Sequence, residues 1–126
     1  MSVHLDRLQT LGATRLTAAT VAEFLTAPDC LILVPGNPAR VREANDAAVI
    51  FPDLVQAVQS ATGRSLAVGF LSSEDETEAL RAELGVLAYP CVIAWRNGAF
   101  AGVVAHLRPW SDYVSETTAL FPAVAA

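Results

Sequence analysis

The chain has 126 residues, 53% of them hydrophobic and 17% charged, which is enough for one domain with a sizeable core and too little for two. Thirteen acidic residues stand against eight basic ones, and every basic residue is arginine, for a formal charge of −5, which argues against non-specific binding to the phosphates of a nucleic acid. No apolar run approaches the roughly 18 residues of a membrane span. His4, Asp6 and Arg7 interrupt the stretch where a secretory leader would be apolar, and Cys30 and Cys91 are too far apart for a redox or metal motif, so we expect a cytoplasmic protein with both thiols reduced.

In chain order, Leu5, Leu8 and Leu11 ahead of Gly12 predict a short N-terminal helix with a glycine stop. A short strand near Thr14 to Leu16 is followed by Thr17 as a cap and by Val21, Phe24 and Leu25 on one helical face. Pro28-Asp29 ends that helix, and Cys30 to Val34 reads as a buried strand. Pro35, Gly36, Asn37 and Pro38 force a loop. Arg40 to Asp46 is polar and poorly patterned, and Pro52 sits where a first helical residue is tolerated, ahead of Leu54, Val55 and Val58. Gly63 closes that helix.

Leu66, Val68 and Phe70 alternate within a second strand over Ser65 to Leu71. Ser72 or Ser73 caps a helix from Glu74 to Leu84 whose first turn holds Glu74, Asp75 and Glu76, the sign the helix dipole favours there; Gly85 ends it. Two apolar runs, Cys91 to Trp95 and Ala99 to Ala105, flank Asn97-Gly98, the pair that a two-residue type I′ turn requires. Pro109 opens a last helix with Tyr113, Val114 and Leu120 facing inward, and Trp110 and Phe121 as further candidates for that face. The order is a βαβ unit followed by a ββα unit, which predicts an α/β fold with helices on both faces of a four- or five-stranded mixed sheet.

Residues 85–103, from Gly85-Val86 through Tyr89-Pro90, the strand, Asn97-Gly98 and Gly102, resemble the closing ββα unit of thioredoxin. The resemblance implies a cis Tyr89–Pro90 bond beside the functional end of the sheet. Thioredoxins carry Cys-x-x-Cys after the first central strand, where a helix N-terminus lowers a thiol pKa; here Pro35-Gly36-Asn37-Pro38-Ala39-Arg40 stands in its place. With Gly85, Val86, Tyr89, Pro90, Gly102, Val103, His106, Pro109 and Trp110, and with an extra N-terminal helix, the chain resembles the HyaE/HupG family of hydrogenase expression and formation proteins. That resemblance implies a single thioredoxin-like α/β/α domain over 1–126: accessory helix 1–12, core 13–121, tail 122–126. It also implies a non-enzymatic accessory role in maturing a NiFe uptake hydrogenase, without cofactor or membrane insertion. The implied partner is the hydrogenase small-subunit precursor, held through its twin-arginine signal peptide, with other maturation proteins as further partners.

Four groups of residues could serve such a role. Glu74, Asp75, Glu76, Glu78 and Glu83 against Arg81 give one helix a local charge of −4, which is either a face for an arginine-bearing partner or a solvated surface. Tyr89, Pro90 and the loop Pro35 to Arg40 would border a groove in which an extended peptide pairs with backbone, as the resemblance implies; Tyr89 could equally be half-buried packing. His106 and Trp110 flank a strand-to-helix loop, as a partner anchor or as closure of the core. Cys91, next to Pro90, is either a buried packing residue or the single nucleophile of a thiol oxidoreductase. His4, Cys30, Cys91 and His106 match no paired-ligand metal module. A plain oligomerisation module is the remaining reading.

Overall fold

Cys30 to Val34 is wholly inaccessible to solvent, a state open only to a strand covered on both faces. In the computed structural model, which describes residues 3–37, 39–72, 74–86 and 88–122, with the side chains of Val3 and Glu74 excepted, this segment is the middle of a five-stranded sheet. The elements run α1 (Val3–Thr10), β1 (Thr14–Arg15), α2 (Val21–Phe24), β2 (Asp29–Val34), α3 (Ala44–Thr62), β3 (Ala67–Phe70), α4 (Glu74–Leu84), β4 (Cys91–Arg96), β5 (Ala99–Ala105) and α5 (Trp110–Thr118). The strand order is β1-β3-β2-β4-β5. β1 and β2 run parallel to β3, and β4 runs antiparallel to both β2 and β5.

Alternation along the strands divides the core in two. Leu31, Leu33, Val92 and Ala94 face α1, α3 and α5, where Leu5, Leu8, Phe51, Leu54, Val58, Tyr113 and Phe121 complete one cluster. Ile32, Val34, Cys91 and Ile93 face α2 and α4, packing with Val21, Leu25, Leu80, Leu84 and Val86. The expected three-layer arrangement is the one observed.

α3 departs from expectation. It begins at Ala44, not at Pro52, and Pro52 lies in its interior. The inward stripe is Ala44, Ala47, Ala48, Phe51, Leu54 and Val58, a helical spacing written in its first two turns by alanines, which carry little hydrophobic signal. Pro52 has no N–H to give the preceding turn, and burial of that stripe holds the helix together across it. Gly63 caps the far end in the left-handed region at φ 72° and donates to the Gln59 carbonyl at 2.9 Å.

In the β4–β5 hairpin Asn97 and Gly98 have φ of 55° and 79°, the positive pair a type I′ turn demands. The ladder shifts between Ala94 and Trp95, so that Ala94 opposes Gly102 and Trp95 opposes Phe100, leaving Ala101 as a bulge. Trp95 meets Phe100 edge to face at 6.5 Å, and its Nε1–H donates to the Leu84 carbonyl at 3.2 Å. These contacts seat the C-terminal end of α4 on the hairpin and so fix where its acidic first turn emerges.

Candidate partner-binding site

Strand register brings the candidate residues to one end of the sheet. Val34 pairs with Cys91 and Cys91 with Ala105, while Leu33 pairs with Phe70 and Phe70 with Arg15. The loop after β2, the turn into α4, the Tyr89-Pro90 turn and the segment from His106 to Trp110 all leave the sheet there, at the carboxyl ends of its parallel strands.

Asn37 organises the loop after β2. Its side-chain Oδ1 accepts the Ala39 N–H at 2.9 Å, and its carbonyl accepts the N–H groups of Arg40 and Val41 at 2.9 and 2.7 Å. Pro38 lies outside the described residues. Gly36 adopts φ 82°, and a Cβ there would stand 2.8 Å from Val41 Cγ2 and 2.9 Å from Tyr89 Cβ; the glycine lets the loop lie directly against Tyr89. The Tyr89–Pro90 bond is cis. Pro90 is buried and Tyr89 half-buried. The Pro90 carbonyl accepts the His106 N–H at 2.7 Å, and among the described residues the backbone groups of Tyr89 enter no backbone hydrogen bond.

The acidic helix divides its charges between two tasks. Asp75 is exposed, and Glu78 is 72% exposed. Glu76 is turned inward at 24% exposure and meets Arg15 of β1 at 4.0 Å, while Arg15 Nε donates to Ser72 Oγ at 2.7 Å. The expectation that Glu76 faces a partner as its neighbours do is therefore corrected: it ties α4 to β1. Ser73, the other expected cap, and the Glu74 side chain lie outside the described residues. Arg81 is within 3.9 Å of Glu78 and sets its guanidinium 5.9 Å from the Tyr89 ring centroid. Through this cation, acidic helix and proline turn become one surface. Sequence reasoning missed both arginines as organisers; for Arg15, far from α4 in sequence, no local signal existed, whereas Arg81 stood three residues from Glu78.

Of the two readings of Trp110, partner anchor or core closure, the structure removes the second. The indole does not face inward but is 50% exposed at the start of α5, in the layer opposite α4, while Tyr113 and Phe121 fill the core. The closing-the-core reading of the His106–Trp110 pair falls with it, since His106 is exposed as well. Arg108 Nε reaches Glu116 at 3.8 Å.

Both cysteines are fully buried and neither forms a disulfide. Burial, with the Asp29 carboxylate beside it, pushes the Cys30 thiol up to about 11, and its Sγ lies 3.5 Å from the Ala27 carbonyl. Cys91 points into the core between the sheet and α2/α4, so no thiol faces the open end of the sheet. Among the described residues no group of three or more His, Cys, Asp or Glu gathers as a metal would require, and no helix is long and apolar enough to cross a membrane.

A family model described as hydrogenase-1 expression protein HyaE matches residues 4–113. The chain belongs to the HyaE family. It is 36% identical over 107 residues to the hydrogenase expression/formation protein HupG of Rhodobacter capsulatus, covering 84% of this chain and 74% of that one. It is 33% identical over 89 residues to the hydrogenase expression/formation protein HoxO of Cupriavidus necator, covering 70% and 53%. The crystal structure of a hupG hydrogenase expression/formation protein from Rhodopseudomonas palustris superposes with a TM-score of 0.56 at 26% identity over 85% of this chain and 93% of that one. Mitochondrial thioredoxin 3 of Saccharomyces cerevisiae superposes with a TM-score of 0.66 at 14% identity, over 86% and 95%, a likeness of fold alone. This family member therefore has the thioredoxin-like fold with the loop Pro35–Arg40 where thioredoxins place their dithiol.

Proposed function

We propose that this protein is a non-enzymatic accessory factor of NiFe hydrogenase maturation that binds the small-subunit precursor in the cytoplasm through its twin-arginine signal peptide. Membership of a hydrogenase expression/formation family supports the process. The observation that carries the binding mode is the joined surface at the open end of the sheet, where Glu78 meets Arg81, Arg81 lies over the Tyr89 ring, and Asp75 stands exposed three residues before Glu78 on α4. A pair of arginines in an extended peptide would find carboxylates there for charge-assisted hydrogen bonds and the Tyr89 backbone for main-chain pairing. The Glu78–Arg81 contact it must displace is long and exposed, and such pairs are worth only about 0.2–1 kcal/mol.

The decisive experiment is a calorimetric titration with a synthetic twin-arginine signal peptide of a hydrogenase small subunit at low and high salt. Binding should weaken as salt screens exposed charges. The double variant Asp75→Asn/Glu78→Gln should lose about two- to thirtyfold in affinity, the sum of two exposed pairs; no binding at low salt overturns the proposal. The buried position of Cys91 speaks against the thiol-enzyme reading, and we expect no insulin reduction by the native protein.

A further inference from the structure

The two edges of the sheet are finished differently. β1 is two residues long and carries Arg15, which is tied to Ser72 and Glu76; a short strand with a charge on it is a protected edge. β5 is seven residues long and holds no ionisable side chain, and it is the last strand on its side of the sheet. Arg96 and Ala99 close the two-residue turn and so exchange hydrogen bonds. Alternation along the ladder, counted through the bulge at Ala101, then turns the N–H and C=O groups of Phe100, Val103 and Ala105 away from β4. Among the described residues no backbone group of another segment meets them. Phe100 stands beside this row at 48% exposure.

Open backbone donors and acceptors in this spacing select an extended strand as their occupant, and the side chains select which one. An arginine-bearing peptide finds no carboxylate along β5. β5 itself fits. From Gly102 to Ala105 the ladder is regular, opposite Ala94 to Cys91, so this half of the strand is free of the bulge. Antiparallel pairing of that half with its own copy, centred on Val103, sets Val103 against Val103 and Gly102, which has no side chain, against Val104. Val103 lies on the α4 face, while Gly102 and Val104 lie opposite Ala94 and Val92 on the other face, so each pair shares a face as cross-strand pairs must. A two-fold interface sets every residue against its own kind. In a chain of net charge −5, an edge without charge is one that meets its copy without repulsion. The same pairing carries the exposed Phe100 of each copy to the far end of the other's β5, near Ala105 and His106.

We infer that this chain forms a two-fold dimer by antiparallel pairing of β5 with β5 of a second copy, which continues the sheet across both subunits. The inference goes beyond the signal-peptide reading and does not depend on it. Antiparallel pairing points the open ends of the two sheets in opposite directions, and the Glu78, Arg81 and Tyr89 surface lies on α4 and the turn before β4, outside the paired edge. Each subunit of the dimer therefore keeps its own surface for a partner.

The test is sedimentation velocity of the full chain over a concentration series, in which a species of twice 13.3 kDa should grow at the expense of the monomer. Val103→Lys sets two cations face to face on the axis and should leave monomer alone. Because Val103 is partly buried, Phe100→Ser, at an exposed side chain, is the second variant and should weaken the dimer about tenfold or more. Val103→Cys reads the register: Cα atoms of a hydrogen-bonded antiparallel pair are about 5.5 Å apart, within reach of a disulfide. A mild oxidant should therefore link it into a covalent dimer faster than Gln9→Cys, an exposed position on α1, with the buried Cys30 and Cys91 taking no part. A wild type that stays monomeric at every concentration overturns the inference, whether or not it takes up a peptide strand. So does a dimer that Phe100→Ser or a folded Val103→Lys leaves unchanged, or Val103→Cys linking no faster than Gln9→Cys. Each of these results leaves the signal-peptide reading standing.

Discussion

The two ends of the sheet are built on opposite principles. Where β2 begins and β4 finishes, Asp29 is 7% exposed and holds Arg64 at 3.2 Å and Arg96 at 3.0 Å. Arg64 Nε donates in turn to the Pro122 carbonyl, and the Asn97 N–H donates to the Pro28 carbonyl at 2.9 Å. One carboxylate thus ties β2, β4, the end of α3 and the chain beyond α5 together. At the other end the ion pairs of Arg81 with Glu78 and of Arg108 with Glu116 span 3.8–3.9 Å between exposed side chains. Short, buried, two-armed contacts fix a structure; long, wet ones can be exchanged for a partner's at small cost.

The largest way to break that contrast is Asp29→Ala, which leaves two arginines facing each other without their counter-charge. About 3 kcal/mol should be lost in urea unfolding, at the low end for a buried network because the arginines keep side-chain exposures of 21% and 25%. Affinity per folded molecule for the leader peptide should not change, and a parallel loss of affinity would mean that the two ends are coupled. At the open end, Gly36→Ala forces a Cβ within 2.8 Å of Val41 and 2.9 Å of Tyr89 at φ 82°. It should cost about 1–2 kcal/mol and, unlike Asp29→Ala, change peptide affinity as well, since the loop and Tyr89 must part.

The alkaline limb of the stability curve sharpens the comparison further. Cys30 is raised from 9.0 to about 11 by burial and by Asp29, and Tyr113 from 10.0 to about 12 by burial and by Cys91. In both, the folded state holds its proton more tightly than the unfolded chain. Their contribution is therefore fully present below pH 9 and is lost as pH rises towards 11 for Cys30, and from 10 towards 12 for Tyr113. Thermal melts should hold steady from pH 7 to 9 and then fall, and Cys30→Ala should flatten the first part of that fall; an unchanged slope would show that another group governs it. The smallest effect belongs to Glu78→Gln, which should move stability by less than about 0.5 kcal/mol while weakening the arginine-bearing peptide measurably.

Where residues near in sequence do the work, the fold was legible. Cys30 to Val34 could only be a buried strand, Asn97-Gly98 could only turn a hairpin, and the acidic first turn ahead of Leu80 and Leu84 marked α4. α3 was half legible, because its first turns pack through alanines and because Pro52 imitates a helix start. The candidate site was legible as a set of residue types but not as a set of contacts: Glu76 looked like Glu78 until Arg15 was brought to it by β1–β3 pairing, and Trp110 could be read as anchor or as core until its exposure in the fold removed the second.

The amino-acid sequence by itself determined the order of elements, their turns and the concentration of negative charge on one helix, because periodicity, capping and turn chemistry act over a few residues. Tertiary structure alone decided which carboxylates are spent on internal ties and which remain for a partner, that Arg81 joins α4 to Tyr89, and that β5 is left as a long open edge where β1 is a short one. These depend on strand register and on the lengths of neighbouring elements, which no local pattern encodes.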